Sequence, residues 1–334
     1  MSVFSIVRTD RDTLTSTVDR GAPEASNGSV PSFVVTAEDR EWYARCRRAW
    51  NLGALARRGL ESPDAPSPRR RVERALRDGL AVHYFPGMWE WDRAIVRPLA
   101  QAAAERSDAT RRASVVLDAF VAWARPVDMF TPLRVEADVE VRIPDPGQPE
   151  RDLAAPDGAP VVYRDRLPLV VVDEDDRTWV GLHRIADSFA ERDELALDER
   201  AVTACWAWEQ TELATTVEGV MYTEVRLDPL AFRRTLVPRS RVEKTAAAFR
   251  LGRAVEEMLD PELPVEPTPG WAHCRVCAFR TPCIAMNCGY DAVPLLAAYR
   301  RRPPDDLEAG RLGGVSWGLG RGAAPPHFRT SSPS

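Results

Sequence analysis

Four of the six cysteines of this chain fall within fifteen residues near its C-terminal end. In the segment WAHCRVCAFRTPCIAMNCGYD, two residues separate Cys274 from Cys277, five separate Cys277 from Cys283, and four separate Cys283 from Cys288. Thiolates this close together on a turn bind one metal centre jointly, and outside an oxidising compartment such a cluster favours metal over disulfides. We therefore predict a metal or iron–sulfur site. Buried free thiols, or a zinc site with His273 as a substitute ligand, are the alternatives at this point.

Composition and charge narrow the class of protein. The chain has 334 residues, of which 44% are hydrophobic and 28% charged, so a wholly disordered chain is excluded. The longest apolar run, Leu167 to Val172, is the size of a strand. The first residues lack a basic segment followed by a long apolar one, so we expect no secretory signal. We expect a cytoplasmic protein with no membrane partner. The net charge of −5 argues against a generally basic protein that coats nucleic acid, but it permits a local basic face.

The chain divides into a central domain and two polar ends. Residues 1–30 and 303–334 are rich in Ser, Gly and Pro, which predicts disordered tails. The domain over 31–302 divides into a helical part at about 36–125, a sheet core at about 132–260, and a cysteine segment at 271–290. We therefore expect an α/β fold with a mixed sheet core, an N-terminal helical portion and a C-terminal cysteine-cluster segment.

Capping signals and helical periodicity predict the helices. The segment TAEDREWYARCRRAWNLGALARR is predicted as one helix that begins with a capping box of Thr36 and Asp39. Helical spacing puts Cys46 on the same face as Trp42 and Trp50. Ser67 and Pro68 begin a second helix that runs to His83. Further helices are predicted over 91–105, 109–125, 199–215, 238–259 and 291–302.

Alternating apolar and polar residues predict the strands. The pattern predicts one strand over LRVEADVEVRI. It also predicts an antiparallel pair of strands, VVYRDRLPLVVV and TWVGLHRI, joined by an acidic turn over 173–176. VEGVMYTEVRL reads as another strand after the helix that Asp198 caps.

A lone cysteine in YARCRRAW, a sheet that follows it, and a distant C-x2-C-x5-C together resemble the PD-(D/E)XK nuclease superfamily, in its RecB/AddB-type branch with a 4Fe–4S cluster. The resemblance covers about residues 32–290 and implies a restriction-endonuclease-like core. It implies that Cys46, Cys274, Cys277 and Cys283 ligate one cluster that joins the two ends of the domain. Cys288 as the fourth ligand, in place of Cys46, is the rival assignment.

The same resemblance marks three positions at which the family's catalytic groups are missing. A family strand of the type GRIDLVV falls on residues 165–171 and puts Pro168 where the metal-binding aspartate stands. A strand of the type LVEHKT puts Leu182 at the second carboxylate and Arg184 at the lysine. Leucine cannot bind Mg²⁺ or Mn²⁺, and arginine is a poor base but a good phosphate partner. His83 matches an upstream histidine that is common in the family.

These substitutions predict a degenerate nuclease-fold protein that binds DNA, or supports a helicase or an active nuclease, without cutting. The alternative is an active metal-dependent DNA nuclease with a rearranged carboxylate set; a cluster-based redox or sensing protein is a weaker third interpretation. The candidate DNA-facing arginines are at positions 45, 47, 48, 57, 58, 69–71 and 111–112. The acids available for a rearranged set are Glu136, Asp138, Asp165 and the run Asp173–Asp176, although that run is more simply a solvated turn.

Overall fold

A computed structural model describes residues 32–63, 67–107 and 111–302. The two predicted tails, residues 1–30 and 303–334, lie outside these described residues. Within the described ranges, no helix combines the length and the apolar character needed to cross a bilayer.

A six-stranded mixed sheet forms the centre of the domain and confirms the predicted fold class. The strands of the protein are β1 (Phe33–Thr36), β2 (Leu60–Glu61), β3 (Phe130–Arg142), β4 (Val161–Asp173), β5 (Thr178–Ala186), β6 (Val217–Leu227), β7 (Leu230–Pro238) and β8 (Arg300–Arg301), of which β2 and β8 form a separate antiparallel pair. The strands of the central sheet follow the order β1-β4-β5-β6-β7, and β3 lies along the other edge of β4. β1 is parallel to β4 and β5 is parallel to β6, whereas the remaining pairs of this sheet are antiparallel.

One edge of β4 is shared between two partners, which opens a fork in the sheet. Residues 161–164 of β4 pair with β1, and residues 169–172 pair with β5. In the described structure, residues 165–168 have no ladder partner on this edge. β5 continues beyond Gly181 with β6 alone, so β4 and β5 diverge at this point.

Helices cover both faces of the sheet, because each strand in the middle carries apolar side chains on both sides. On one face, Leu76 and Leu117 pack with Leu169 and Trp179. On the other face, Trp50 and Trp206 pack with Val170 and Val180. The helices are α1 (Ala37–Arg45), α2 (Arg47–Gly53), α3 (Pro68–His83), α4 (Arg93–Ser107), α5 (Arg111–Ala124), α6 (Arg192–Ala196), α7 (Glu199–Thr211), α8 (Arg241–Leu259), α9 (Trp271–Arg275), α10 (Arg280–Asn287) and α11 (Val293–Leu296).

The long helix predicted after Thr36 is in fact two helices that meet at Cys46. The Thr36–Asp39 capping box is present, as predicted. Cys46 is extended, with φ −165° and ψ 111°, so α1 ends and α2 begins at this residue. The side chain of Cys46 is buried. Helical periodicity of the apolar residues persists across the break, and the sequence pattern therefore conceals it.

Further differences concern short or edge elements. The predicted helix over 291–302 is reduced to α11, and the structure adds elements that were not predicted: β1, β2, β7, β8, α6, α9 and α10. β7 is an edge strand whose arginines interrupt the alternation, which weakens the period-two signal. β1 is a four-residue strand, too short for a periodic pattern.

Several contacts hold the N-terminal helices against the C-terminal part of the domain. Tyr43 donates a hydrogen bond of 2.7 Å from its hydroxyl to Glu257 of α8. Leu60 of β2 pairs with Arg301 of β8, and the Arg302 guanidinium donates to the carbonyl of Gly53. Segments more than two hundred residues apart in sequence are therefore joined by ordinary polar contacts.

Lys244, the only lysine in the chain, is buried on α8 and contacts the first residue of β6. Its ammonium group forms an ion pair with Glu209 of α7 and donates a 2.8 Å hydrogen bond to the Val217 carbonyl. Glu209 also accepts a 2.8 Å hydrogen bond from the Val217 amide. One buried ion pair thus connects two helices and a strand.

We expect Lys244→Met to lower the free energy of unfolding by about 2–4 kcal/mol, because it leaves the Glu209 carboxylate and the Val217 carbonyl without their partner. Chemical denaturation measures the loss. The double variant Lys244→Met/Glu209→Gln is the control, and it should lose less than Lys244→Met alone because no unpaired charge remains. Equal stability of Lys244→Met and the wild type would contradict this role.

Candidate functional site

The fold brings the N-terminal cysteine to the C-terminal cysteine segment. Cys46 lies at the junction of α1 and α2, Cys274 lies on α9, and Cys283 lies on α10, with Cys277 in the turn between these two helices. The backbone amide of Thr268, just before α9, lies 3.5 Å from the Cys46 sulfur. Two regions separated by 222 residues therefore meet at this thiol.

The pKa of Cys277 depends on three other cysteines. Burial raises the pKa of the Cys277 thiol above its ordinary value, and ionisation of Cys46, Cys283 or Cys274 would raise it further. The Phe279 amide, which donates to the Cys277 sulfur, opposes this shift. Cys288 is exposed and ends α10.

Backbone amides point at three of the sulfurs. Thr268 donates to Cys46, Gly270 donates to Cys274 over 3.4 Å, and Phe279 donates to Cys277 over 3.4 Å. Hydrogen bonds of this kind stabilise thiolates and are typical of sulfur-ligated iron centres. His273 points elsewhere, since its Nε2 lies 2.7 Å from the Thr268 carbonyl oxygen.

The cysteine group offers sulfur donors of the kind that iron–sulfur clusters use. It consists of four thiols, and backbone amides are directed at three of the sulfurs. In the described residues, no group of three or more His, Cys, Asp or Glu side chains is arranged to hold one metal ion. A zinc ion would need its thiolate sulfurs within about 4 Å of one another, given Zn–S bonds of about 2.3 Å.

Pro168 and Leu182 flank the fork between β4 and β5. Pro168 is the last of the β4 residues without a ladder partner on this edge, and Leu182 directly follows Gly181, where β5 leaves β4. Leu182 packs against the core, and Arg184 is on the same face of the strand. The three positions identified by the motifs therefore lie around the fork, and they contribute no carboxylate.

A buried glutamate that the motifs do not identify lies beside Arg184. Glu224 of β6 is fully buried, and one of its carboxylate oxygens is 3.7 Å from Arg184 Nε. Arg233 of β7 donates to Glu224 over 2.6 Å, and the Ala190 amide donates over 3.0 Å. The sequence does carry a signal for this residue, because Glu224 is the only charged residue between Val220 and Val225 in an otherwise buried strand.

His83 lies on the opposite face of β5 from Leu182 and Arg184. Its ring contacts the Tyr84 ring, with a centroid distance of 4.7 Å, and Tyr84 in turn stacks on His183. Burial and the nearby Arg93 lower the pKa of His83 to about 4, and burial lowers that of His183 to about 3. Both imidazoles are therefore neutral near pH 7, and the structure does not bring His83 to the fork.

Three of the other candidate acids have local partners. Asp138 forms a 2.7 Å ion pair with Arg166, and Asp173 accepts a 2.9 Å hydrogen bond from the Trp179 indole. Asp165 accepts from the Tyr163 hydroxyl over 3.2 Å and lies 3.5 Å from Arg200. Tyr163 and Arg200 line a groove of about 440 Å³ between α1 and α7. Residues 174–176 are exposed in the turn, as predicted.

Glu136 is the candidate acid nearest to a catalytic position. The register pairs Val135 with Leu169 and Ala137 with Leu167, so Glu136 of β3 faces Pro168 of β4. Its φ of 46° lies in the left-handed region, which is strained for a residue with a side chain. Burial raises the pKa of Glu136 to about 7, against the opposing charge of Arg77.

Several of the candidate DNA-facing arginines make contacts within the chain. Arg47 pairs with Glu257, Arg57 donates to the Met258 carbonyl, and Arg69 pairs with Asp187. Arg48 donates to Asn287 and to the Cys283 sulfur. The exposed members of the set are Arg45, Arg58, Arg69, Arg70, Arg111 and Arg112.

We expect Glu136→Gln to remove a loss of stability that the wild type shows as the pH rises. The unfolded carboxyl ionises near its ordinary pKa of 4.5, whereas the folded one holds its proton until about pH 7. Stability should therefore fall between about pH 4.5 and pH 7, by about 1–3 kcal/mol. Urea unfolding at pH 5 and pH 8 measures this change. Glu140→Gln, at an exposed position on the same strand, should keep the wild-type pH dependence; the same fall in Glu136→Gln would refute the assignment.

Comparison with known proteins places the chain in no family. No protein-family model and no curated protein matches it. Among solved structures, the chain is similar to the one described as the crystal structure of SSO0001, with 10% identity, coverage of 75% of this chain and 85% of that chain, and a TM-score of 0.34. A TM-score this low supports neither a common fold nor a common function.

Proposed function

We propose that this protein binds an iron–sulfur cluster on Cys46, Cys274, Cys277 and Cys283, and that its sheet core binds DNA without cutting it. The observation that carries the proposal is that the fold brings together two thiols from opposite ends of the domain: the Cys46 sulfur accepts from the Thr268 amide, and the Cys283 sulfur accepts from Arg48 of α2. The sheet lacks carboxylates at the matched positions Pro168 and Leu182. The nuclease resemblance supplies the link to DNA.

The charges around Cys277 support a four-cysteine ligand set. Cys46 is buried at a helix junction whose extended backbone turns the residue away from a regular helical position. Ligand sulfurs of a 4Fe–4S cluster stand about 6–7 Å apart, farther than the sulfurs around a single zinc ion. When bound, the cluster would supply a rigid cross-link between these thiols and a centre capable of accepting an electron.

Cys46 is a better fourth ligand than Cys288. Ionisation of Cys46 would raise the pKa of the Cys277 thiol, as would ionisation of Cys283 or Cys274. It also has a backbone amide directed at its sulfur. Cys288 is exposed at the end of α10.

The fork in the sheet favours binding over hydrolysis. Metal-dependent cleavage of DNA needs carboxylates that hold the cation against the phosphate. Pro168 and Leu182 offer none, and the buried Glu224 is already paired with Arg233. Arg184 is 44% exposed in its side chain, and its permanent charge suits a phosphate oxygen.

We expect Cys46→Ser to reduce the iron content of anaerobically purified protein to about half or less of the wild-type value, because one thiolate of the set is lost. Iron and acid-labile sulfide analysis with visible absorption spectra measures it. Cys288→Ser is the matched control and should retain full iron. Full iron in Cys46→Ser, with loss in Cys288→Ser, would instead assign Cys288 as the fourth ligand.

We expect the purified protein to show no cleavage of single- or double-stranded DNA in Mg²⁺ or Mn²⁺, and to bind DNA with an affinity that falls steeply with salt. Arg184→Ala should weaken binding and reduce the salt slope by about one, as expected for the loss of one phosphate contact. Fluorescence anisotropy at several salt concentrations measures both.

Arg177→Ala is the control for this binding experiment, because Arg177 lies in the acidic turn at the far end of the β4–β5 hairpin. It should leave binding unchanged. Equal effects of the two substitutions would count against DNA binding at the fork.

Glu136 supports a second candidate function, a metal-dependent nuclease with a rearranged carboxylate set. Glu136 lies opposite Pro168 on the adjacent strand. Its strained backbone and its raised pKa are properties that active-site acids share. Metal-dependent cleavage that is lost in Glu136→Gln and retained in Glu140→Gln would favour this function over the first.

A further inference from the structure

Each of the four clustered thiols has one N–H donor within reach, and one of these donors differs in kind from the others. Cys46, Cys274 and Cys277 accept from backbone amides. Cys283 accepts from a charged side chain, with Arg48 Nη1 at 3.6 Å from its sulfur. The guanidinium therefore brings a full positive charge to one ligand of the set.

Arg48 is held in this position from both ends. Its backbone amide donates to the Glu266 carbonyl over 3.3 Å, and its Nη1 donates to the Asn287 side-chain oxygen over 2.6 Å. Cys46 and Arg48 are two residues apart, at the start of α2, whereas Cys283 and Asn287 are four apart on α10. The Arg48 side chain thus spans the same two segments that the thiols join.

In the part of the chain that the structure describes, the Arg48 guanidinium has no carboxylate partner; it contacts the Asn287 amide oxygen and the Cys283 sulfur. An arginine that is not neutralised by an acid exerts its full field on a nearby thiolate. Four thiolates on a 4Fe–4S core of charge +2 leave a net charge of about −2, and reduction adds one more negative charge.

We propose that Arg48 is a positioning residue that holds Cys283 for cluster binding and raises the reduction potential of the cluster. The inference rests on the proposed function, since it requires the cluster to be present. A positive charge at a ligand sulfur stabilises the more negative, reduced form, and it also lowers the free-energy cost of gathering four thiolates. The one-electron step adds an electron to the cluster from an external reductant such as dithionite and breaks no bond.

The test uses the full-length protein, reconstituted anaerobically with iron and sulfide, in three variants. Arg48→Gln keeps a hydrogen-bond donor and removes the charge, whereas Arg48→Lys keeps the charge and loses the planar fork. Arg58→Gln makes the same charge change at an exposed arginine shortly after α2. The readouts are the midpoint potential from a spectroelectrochemical titration and the rate of iron release to a chelator.

We expect the reduced-to-oxidised ratio of Arg48→Gln, poised at the wild-type midpoint potential, to fall about tenfold, which is a shift of about 59 mV for one electron. Its iron release should be faster than that of the wild type. Arg48→Lys should retain most of the wild-type potential, and Arg58→Gln should match the wild type in both readouts. Loss of iron in Arg48→Gln, with retention in Arg48→Lys, would equally support the requirement for charge.

Two results would overturn the inference. Wild-type potential and iron release in Arg48→Gln would show that the charge does not act on the cluster. Equal loss of iron in Arg48→Gln and Arg48→Lys, with a native circular dichroism spectrum, would assign Arg48 to packing alone. A wild-type protein that binds no iron and sulfide fails at an earlier step: it refutes the proposed function, and the role of Arg48 with it.

Discussion

The sharing of one edge of β4 between β1 and β5 is the constraint on which the rest of the site depends. β1 pairs with β4 up to Arg164, and β5 pairs with β4 only from Leu169 onward. The two neighbours therefore leave a gap in the ladder. β1 ends at Thr36, where the capping box begins α1. The fork thus determines where α1 starts, and the length of α1 in turn determines where Cys46 lies.

The ends of the domain are held together in two independent ways. Tyr43 contacts Glu257, and β2 pairs with β8, without any contribution from the cysteines. The thiols then lie close together because these contacts have already brought the segments into register. A cluster would add a cross-link over a very long loop, for which the chain-entropy estimate is at most about 5 kcal/mol. Polar contacts already hold the two ends of the domain together, so the stabilisation from a cluster should be smaller than that limit.

The sequence predicted the regular elements well, because their signals are local. The Thr36–Asp39 capping box and the β4–β5 hairpin each depend on residues that are neighbours in the chain. The break at Cys46 was not predictable from periodicity, because apolar residues continue at helical spacing on both sides of it. The partners of buried charges were not predictable either. Glu224 is recognisable as an unusual residue in an apolar strand, but Arg184 and Arg233 become its neighbours only through strand pairing.

The separation of Cys46 from the other clustered thiols has a consequence for the order of events during synthesis. Cys46 leaves the ribosome first, and 222 residues separate it from Thr268, the residue that directs an amide at its sulfur. At about 5–20 residues per second, the nascent chain carries this thiol for roughly ten to forty seconds before its companions exist. A cluster on the four proposed cysteines could therefore form only after translation of nearly the whole domain.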